Sequence, residues 1–275
     1  MKDLEVVQKN ELIILKEIKR ICEKYNLTYY LSSGSLLGAI RHGGFIPWDD
    51  DIDVEMPLQD YRKFLKICNT ELDKKFFLQN FSTDYNDNQG FTKIRMNNTT
   101  FMPVHHTKHY IHHGFWVDIF PVIRVPKNEK LFALKKKIVM LSNYVQIGNF
   151  MDANENEFKS KLGSFRYSVI RNFNKLPIRF RILIHKFLLF FVLRKPKQEK
   201  CLALMWTTLD RLPKNIYNDL ENYIFVDDYF KIPKKYHVYL KMMYGDYMKL
   251  PAVEDRQAHG SMIVDESKNF VEYLK

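Results

Sequence analysis

The chain has 275 residues, 46% of them hydrophobic and 15% aromatic, and a net charge of +11. That is ample material for a globular fold, either one large domain or a catalytic core with an appendage. The three cysteines, Cys22, Cys68 and Cys201, are far apart and odd in number, which excludes a disulfide framework or a metal or redox spacing and suits a reduced, cytosolic setting. No stretch reaches the length of a membrane span, and the charged N-terminus has no signal-peptide apolar run.

Taken in order, residues 4–25 carry the helical repeat of Leu15, Ile18, Cys22 and Tyr25, with Glu11, Lys16, Glu17, Lys19 and Arg20 expected to face water. A strand is predicted from Thr28 to Ser32, followed by Gly34 and Ser35. A short apolar helix, Leu36 to Ile40, then ends at the paired glycines Gly43 and Gly44. Beyond Pro47 and Trp48 come Asp49, Asp50, Asp51 and Asp53. Strand side chains alternate faces, so Asp51 and Asp53 are expected to share one, with Asp49 joining them if the strand starts that early. Ile52 and Val54 point the other way. Clustered carboxylates repel one another unless a cation sits among them, and an oxygen-rich set suits Mg²⁺ or Mn²⁺. The spacing imitates a calcium loop, but its sixth position is Val54 and its twelfth Asp60, where glycine and a bidentate glutamate belong. The apolar residues threaded between the acids argue against a solvated acidic turn.

Pro57 closes that strand, and a helix is expected from Leu58 to Leu72. Strands follow at Phe76 to Phe81 and at Phe91 to Met96, the second carrying Lys93 and Arg95 on one face. Five histidines lie between His105 and His113, with spacings of four that would suit zinc on a helix, yet no Glu or Cys completes a site. A mobile polar lid is the favoured reading. The next segment, Gly114 to Pro121, is a hydrophobic strand interrupted by Asp118, an acid costly to bury without a cation or hydrogen bonds.

From Asn128 the chain reads helical, with breaks near Gly148 and at 152–157 and a further helix from Cys201 to Leu209. Between Lys159 and Lys200 there are twelve Lys and Arg against one acid, Glu199, so this segment carries the whole positive excess. Within it, Ile182 to Ile184 and Phe187 to Leu193 supply apolar surface flanked by Arg179, Arg181, Lys186, Arg194 and Lys195. That pattern fits an interfacial helix on an anionic membrane. A core-packed helix with a basic outer face fits it equally. Nucleic acid is a weaker reading, because no nucleic-acid module accompanies the charge, and no nucleic-acid partner is expected.

The run Gly34-Ser35-Leu36-Leu37-Gly38, then Arg41-His42, then Phe45 through Trp48-Asp49-Asp50-Asp51-Ile52-Asp53 resembles the LicD/fukutin-like family. Gly114 to Pro121 resembles that family's second acidic motif. Val226 to Phe230 and Tyr236 to Pro251 resemble its C-terminal signature, with Arg256 and His259 where relatives also have basic residues. The resemblance implies an α/β fold of the α+β type: a nucleotidyltransferase-like mixed sheet core over 1–126 and a mainly helical, basic part over 127–275. It makes Asp118 the third carboxylate of a metal site with Asp51 and Asp53, and Asp49 a possible fourth ligand. Gly34 and Ser35 would cradle a diphosphate at a helix N-terminus, while Arg41 and Lys93 would stabilise the departing nucleotide.

The implied activity is phosphocholine transfer from CDP-choline to a hydroxyl of a lipid-linked glycan, a teichoic acid or lipopolysaccharide precursor, releasing CMP. Two divalent ions would activate the attacking hydroxyl and neutralise the leaving oxygen. The expected location is the cytoplasmic face of the plasma membrane, peripherally bound. Other CDP-alcohols carrying ribitol or glycerol, nucleotidyl transfer to a small acceptor, and non-catalytic nucleotide or glycan binding are the alternatives. A choline headgroup favours an aromatic box; Phe45, Trp48, Tyr110 and Trp116 lie near the motifs, although rings there are more often core. Asp228 or Asp246 would cap a helix or orient a substrate.

Overall fold

The computed structural model describes residues 2–87, 90–151, 164–194, 199–205, 209–258 and 260–275. Helix α1 (Lys2–Lys24) buries Val7, Ile14, Leu15, Ile18, Ile21 and Cys22 along one stripe, the helical repeat read from sequence. Its polar side differs from expectation at two positions: Glu11 and Glu17 are buried. Glu17 is satisfied, accepting from Arg20 at 2.7 Å and from the Asp73 amide at 3.1 Å. Glu11 sits on the buried stripe itself, four residues before Leu15.

The central sheet runs β1-β2-β6-β4-β3, with β7 also on β6 and β8 on β7. Its members are β1 (Tyr30–Leu31), β2 (Asp53–Pro57), β3 (Phe76–Gln79), β4 (Thr92–Met96), β6 (Trp116–Pro126), β7 (Glu199–Met205) and β8 (Leu209–Pro213). The β2/β6 pair is parallel and the other pairs are antiparallel, giving the expected mixed α/β architecture of the α+β type. Val54, Met56, Val117 and Ile119 face the main core below α1 and helix α3 (Leu58–Glu71), where Phe64 and Cys68 are buried. At about 25 cal/mol per Å² of apolar surface, each such aliphatic side chain contributes roughly 2 kcal/mol.

Three boundaries moved. The first strand shrinks to two residues because helix α2 (Ser33–His42) begins earlier than the Leu36 start expected, so Gly34 and Ser35 lie in its first turn. Gly43 ends α2 at φ +70°, the left-handed stop that the paired glycines imply. Strand β2 begins only at Asp53, so Asp51 and Asp49 belong to the preceding loop rather than to a strand face. Helix α4 (Glu129–Met151) runs through Gly148, since one interior glycine costs only about 1 kcal/mol.

The stretch expected as a helix from Cys201 is strand β7 instead. Its Leu and Ala favour helix intrinsically, but the open edge of β6 past Val122 supplies a partner, and pairing outweighs propensity. The polar break at 152–157, Pro196 and His259 lie outside the described residues.

Helices α4, α5 (Ser164–Asn174) and α6 (Ile178–Leu193) form a layer beside β6. In α6 the sides are reversed. Arg181 and His185 point inward, the guanidinium donating to the carbonyls of Val145 and Gln146 and the imidazole meeting Ser142 at 2.8 Å. Phe180, Leu183, Phe187, Phe190 and Phe191 point outward and are exposed. Among the described residues no helix is long and apolar enough to cross a membrane.

Toward the C-terminus, β9 (Leu220–Phe225) and β10 (Asp228–Pro233) form a hairpin beside α2, and helix α7 (Tyr236–Tyr244) packs against α2. Strand β11 (Met262–Asp265) pairs with β5 (Thr100–Pro103).

Candidate active site

Three strands and one loop converge on a cluster of carboxylates. Register places Asp53 of β2 opposite Asp118 of β6, and Lys93 of β4 opposite Asp118 on its other side. The row across the sheet is therefore acid, acid, base. Asp51, from the loop before β2, completes a trio in which one oxygen of each carboxylate lies within 4.8 Å of the others. Among the described residues this is the one group of acids, histidines or cysteines so arranged.

Lys93 Nζ donates to Asp118 Oδ1 at 2.5 Å, with both side chains buried. Burial pulls the Lys93 ammonium pKa down, and the Asp118 charge opposes that. Burial also raises the Asp53 pKa well above the ordinary carboxylate value, and Asp51, Asp118 and Asp49 push it further. Lys93 offsets only part of that burden. An added divalent cation would remove it, since carboxylates at this spacing are hard oxygen donors. The residues present fit such an ion.

The glycine–serine turn is held to this cluster. Ser35 Oγ accepts the Asp53 amide at 2.8 Å, fixing where β2 starts. Gly34 faces Asp49, whose Oδ2 would lie 2.7 Å from a Cβ added there, so a side chain at position 34 would push the Asp49 carboxylate aside. Ser33 adopts φ +44°, a left-handed conformation uncommon for serine, and its amide donates to the Tyr239 hydroxyl at 3.2 Å. Tyr239 in turn donates to Glu55 at 2.8 Å, and Tyr217 donates to the same carboxylate at 2.5 Å. Burial pushes Glu55 up to about 7. Sequence reading missed this Glu55–Tyr217–Tyr239 bracket, although the spacing of Glu55 from Asp53 puts both on one strand face.

Arg41 points toward the C-terminal region, donating to the Tyr247 carbonyl at 2.8 Å and to His42 at 2.9 Å. Burial lowers its pKa and the neighbouring Arg256 charge lowers it further. Arg256 lies over Trp48 at 5.3 Å and His42 meets that ring edge-on. Trp48 thus belongs to a basic, aromatic neighbourhood beside the acidic loop. Trp116 differs: it stacks on Phe101 at 4.4 Å, and Lys93 and Arg95 sit 4.7 and 4.8 Å from its ring. Its contacts are with the protein itself. Tyr110 is exposed and bonds the Lys275 carbonyl at 3.2 Å, and Phe45 packs on Phe225.

The histidine run is not a free lid. His109 and His113 are buried, His113 Nε2 meets the His109 carbonyl at 2.9 Å, and His112 stacks on Phe77. Asp228 also proves structural: it pairs with Lys19 at 2.7 Å and bonds the Tyr229 amide. Asp246 is exposed in the turn after α7, where its carbonyl accepts the Lys249 amide.

Residues 26–145, which span Gly34 through Asp118, match the LicD/FKTN/FKRP nucleotidyltransferase domain. The lipopolysaccharide cholinephosphotransferase LicD of Haemophilus influenzae is 29% identical over 256 residues, covering 90% of this chain and 92% of that protein. The ribitol 5-phosphate transferase FKRP of human and mouse is 50% identical over 40 residues, 14% of this chain and 8% of theirs. Residues 26–145 therefore form a LicD-family nucleotidyltransferase domain, built around the carboxylate row of β2 and β6.

Proposed function

We propose that the protein transfers phosphocholine from CDP-choline to a hydroxyl of a lipid-linked cell-surface glycan, of the lipopolysaccharide or teichoic acid type, and releases CMP. The observation that carries this reading is the convergence of Asp51, Asp53 and Asp118 beside Lys93. The near-full-length likeness to a lipopolysaccharide cholinephosphotransferase supports the choice of donor.

In this reading Asp51, Asp53 and Asp118, with Asp49 alongside, hold Mg²⁺ or Mn²⁺. A bound divalent cation supplies charge neutralisation at the transferring phosphorus and acidifies an attacking hydroxyl. The chain's own groups do the rest. Lys93, oriented by Asp118, offers positive charge to the leaving phosphate oxygens. Amides at the N-terminus of α2, around Gly34 and Ser35, bind phosphate oxygens, and Arg41 neutralises the nucleotide end. Trp48 offers its ring to the quaternary ammonium, an interaction worth roughly 0.5–2 kcal/mol. Residues 1–126 supply the carboxylates, Lys93 and Arg41; from 127–275, α6 faces the membrane while β7 and β8 extend the catalytic sheet and Tyr217 and Tyr239 brace Glu55.

The reversed polarity of α6 supports peripheral attachment to an anionic bilayer on the cytoplasmic face. The inward Arg181 and His185 leave an outer surface of phenylalanines bordered by Arg179, Lys186 and Arg194.

The deciding experiment measures CMP release with Mg²⁺ and a lipid-linked glycan fraction, offering CDP-choline, CDP-ribitol and CDP-glycerol in turn. Release that requires both CDP-choline and glycan is the expected result, and Asp51→Asn should reduce it by at least about a hundredfold. Release from CDP-ribitol or CDP-glycerol alone replaces the alcohol but keeps the chemistry. Pyrophosphate from nucleoside triphosphates, with no CMP, makes the protein a nucleotidyltransferase. Unchanged turnover in Asp51→Asn overturns the site.

A further inference from the structure

Glu11 is the one acid of the N-terminal helix that its surroundings leave unexplained. It is fully buried, and among the described residues neither carboxylate oxygen has a hydrogen-bond partner. Three residues earlier on the same helix, Gln8 Nε2 donates to the Asp49 carbonyl at 2.9 Å, so this face of α1 lies on the acidic loop. The helix also crosses β4 and β6, the strands that carry Lys93 and Asp118. The largest charge effects on Glu11 come from Asp51, Asp50, Asp118 and Asp49, all negative, and together with burial they raise its pKa well above the ordinary value.

A buried carboxylate with neither hydrogen bonds nor an opposite charge costs several kcal/mol. A core position would take leucine there at no such cost, and leucine or isoleucine does occupy the neighbouring positions of the stripe, Leu12, Ile14 and Leu15. A hydrated divalent cation on the aspartates would supply what Glu11 lacks, positive charge and O–H donors. Glu11 is not among the oxygens that lie within 4.8 Å of one another. As a partner of such an ion Glu11 would act through a cation-bound water rather than as a direct ligand, and Mg²⁺ keeps several of its waters when protein-bound.

We propose that Glu11 is an outer member of the cation site, a positioning residue contributed by α1 that accepts hydrogen bonds from cation-bound water and draws the N-terminal helix onto the catalytic loop. The inference rests on reading Asp51, Asp53 and Asp118 as the ligands.

The test is Mn²⁺ binding to the metal-free protein, followed by the paramagnetic resonance of the free ion, with the melting temperature recorded at each step. Wild type, Glu11→Gln, Glu11→Met and Asp53→Asn are compared. Outer-shell partners typically govern metal affinity by 10–100-fold, so both Glu11 variants should bind Mn²⁺ at least about tenfold more weakly. The metal-free melting temperature of Glu11→Met should equal or exceed that of wild type, because a buried polar group without a described partner has gone, and that of Glu11→Gln should stay close to wild type. A purely structural glutamate would give the reverse, a lower metal-free melting temperature with unchanged affinity, and that result overturns the proposal. If wild type and Asp53→Asn bind alike, or neither binds, the reading of the aspartates fails first and takes this one with it. Wild-type affinity in the Glu11 variants, with binding lost in Asp53→Asn, overturns only the role of Glu11.

Discussion

The Lys93 ammonium lies 5.0 Å from the Phe91 ring and 4.7 Å from that of Trp116, and it reaches Asp118 with almost no solvent contact. Removing one member of a buried pair leaves the other charge uncompensated, at about 3–5 kcal/mol. Lys93→Met is therefore expected to lower metal-free stability by that order. Saturating Mg²⁺ should recover part of the loss, because the cation then faces Asp118. Denaturant unfolding with and without Mg²⁺ checks this, and a loss insensitive to Mg²⁺ would separate Asp118 from the cation. Asp51 and Asp53 stand out in sequence as acids threaded with apolar residues, whereas Asp118 joins them as a third carboxylate only through the family resemblance. Their placement was less legible: Asp51 and Asp53 come together through a loop rather than through strand alternation. Charge alone places Glu11 and Glu17 on the wet side of α1. The helical repeat that runs through Leu15 and Ile18 includes position 11, and that periodicity was the signal passed over.

At the level of elements, α6 carries the clearest expectation. A core helix hides its phenylalanines; α6 hides an arginine and a histidine and exposes five large apolar side chains. Surface substitutions of such residues usually shift stability by no more than about 0.5 kcal/mol. Phe187→Glu should therefore melt as wild type does, while its flotation with vesicles of anionic lipid falls severalfold. Wild-type binding should itself weaken with added salt, as surface electrostatics are screened. Retention of the variant on the vesicles would point to a different membrane face. Sequence left membrane and core readings equal for this helix because both need the same residues. Which side Arg181 takes is a tertiary fact, set by the carbonyls of Val145 and Gln146 that its guanidinium bonds. Strand β7 escaped sequence reading for a similar reason, since its partner on β6 lies some eighty residues away in the chain.

Across the whole molecule, buried histidines set the response to acid. Burial, with nearby positive charge, holds His112 and His113 near 3 and His185 near 4, against an ordinary value of 6.5. Each stays neutral in the fold while the unfolded chain takes up a proton below 6.5. The unfolded state then binds more protons, so stability falls as pH drops from about 6.5 toward 4, by up to about 1.4 kcal/mol per pH unit for each group. Glu55 works in the opposite sense: raised to about 7, it favours the fold below its unfolded value near 4.5 and loses that contribution as pH rises through 7. His42, His106 and His109 are lowered in the same sense, and these six imidazoles outnumber the three raised acids, Glu55, Glu11 and Asp53, so acidification carries a net loss. Melting temperatures between pH 7.5 and 4.5 should decline, and His185→Gln should make the decline shallower. A flat profile would contradict the burial of these rings.

The row formed by Asp53 and Asp118 has a further consequence for which ions the site accepts. Both acids are fixed to adjacent hydrogen-bonded strands, about 4.8 Å apart by sheet geometry, so their separation is a gauge that the backbone sets. Asp51 lies on a loop and, in the proposed reading, would be the more adjustable jaw. Lengthening a fixed jaw by one methylene, as in Asp118→Glu, should spoil the fit for a small ion such as Mg²⁺ and cost more affinity than Asp51→Glu. A larger ion such as Ca²⁺, with its looser coordination, should discriminate less between the two variants. Calorimetric titration of both variants with each ion reads that difference directly. Selectivity would then reside in the spacing of two strands, beyond the reach of any single side chain to retune.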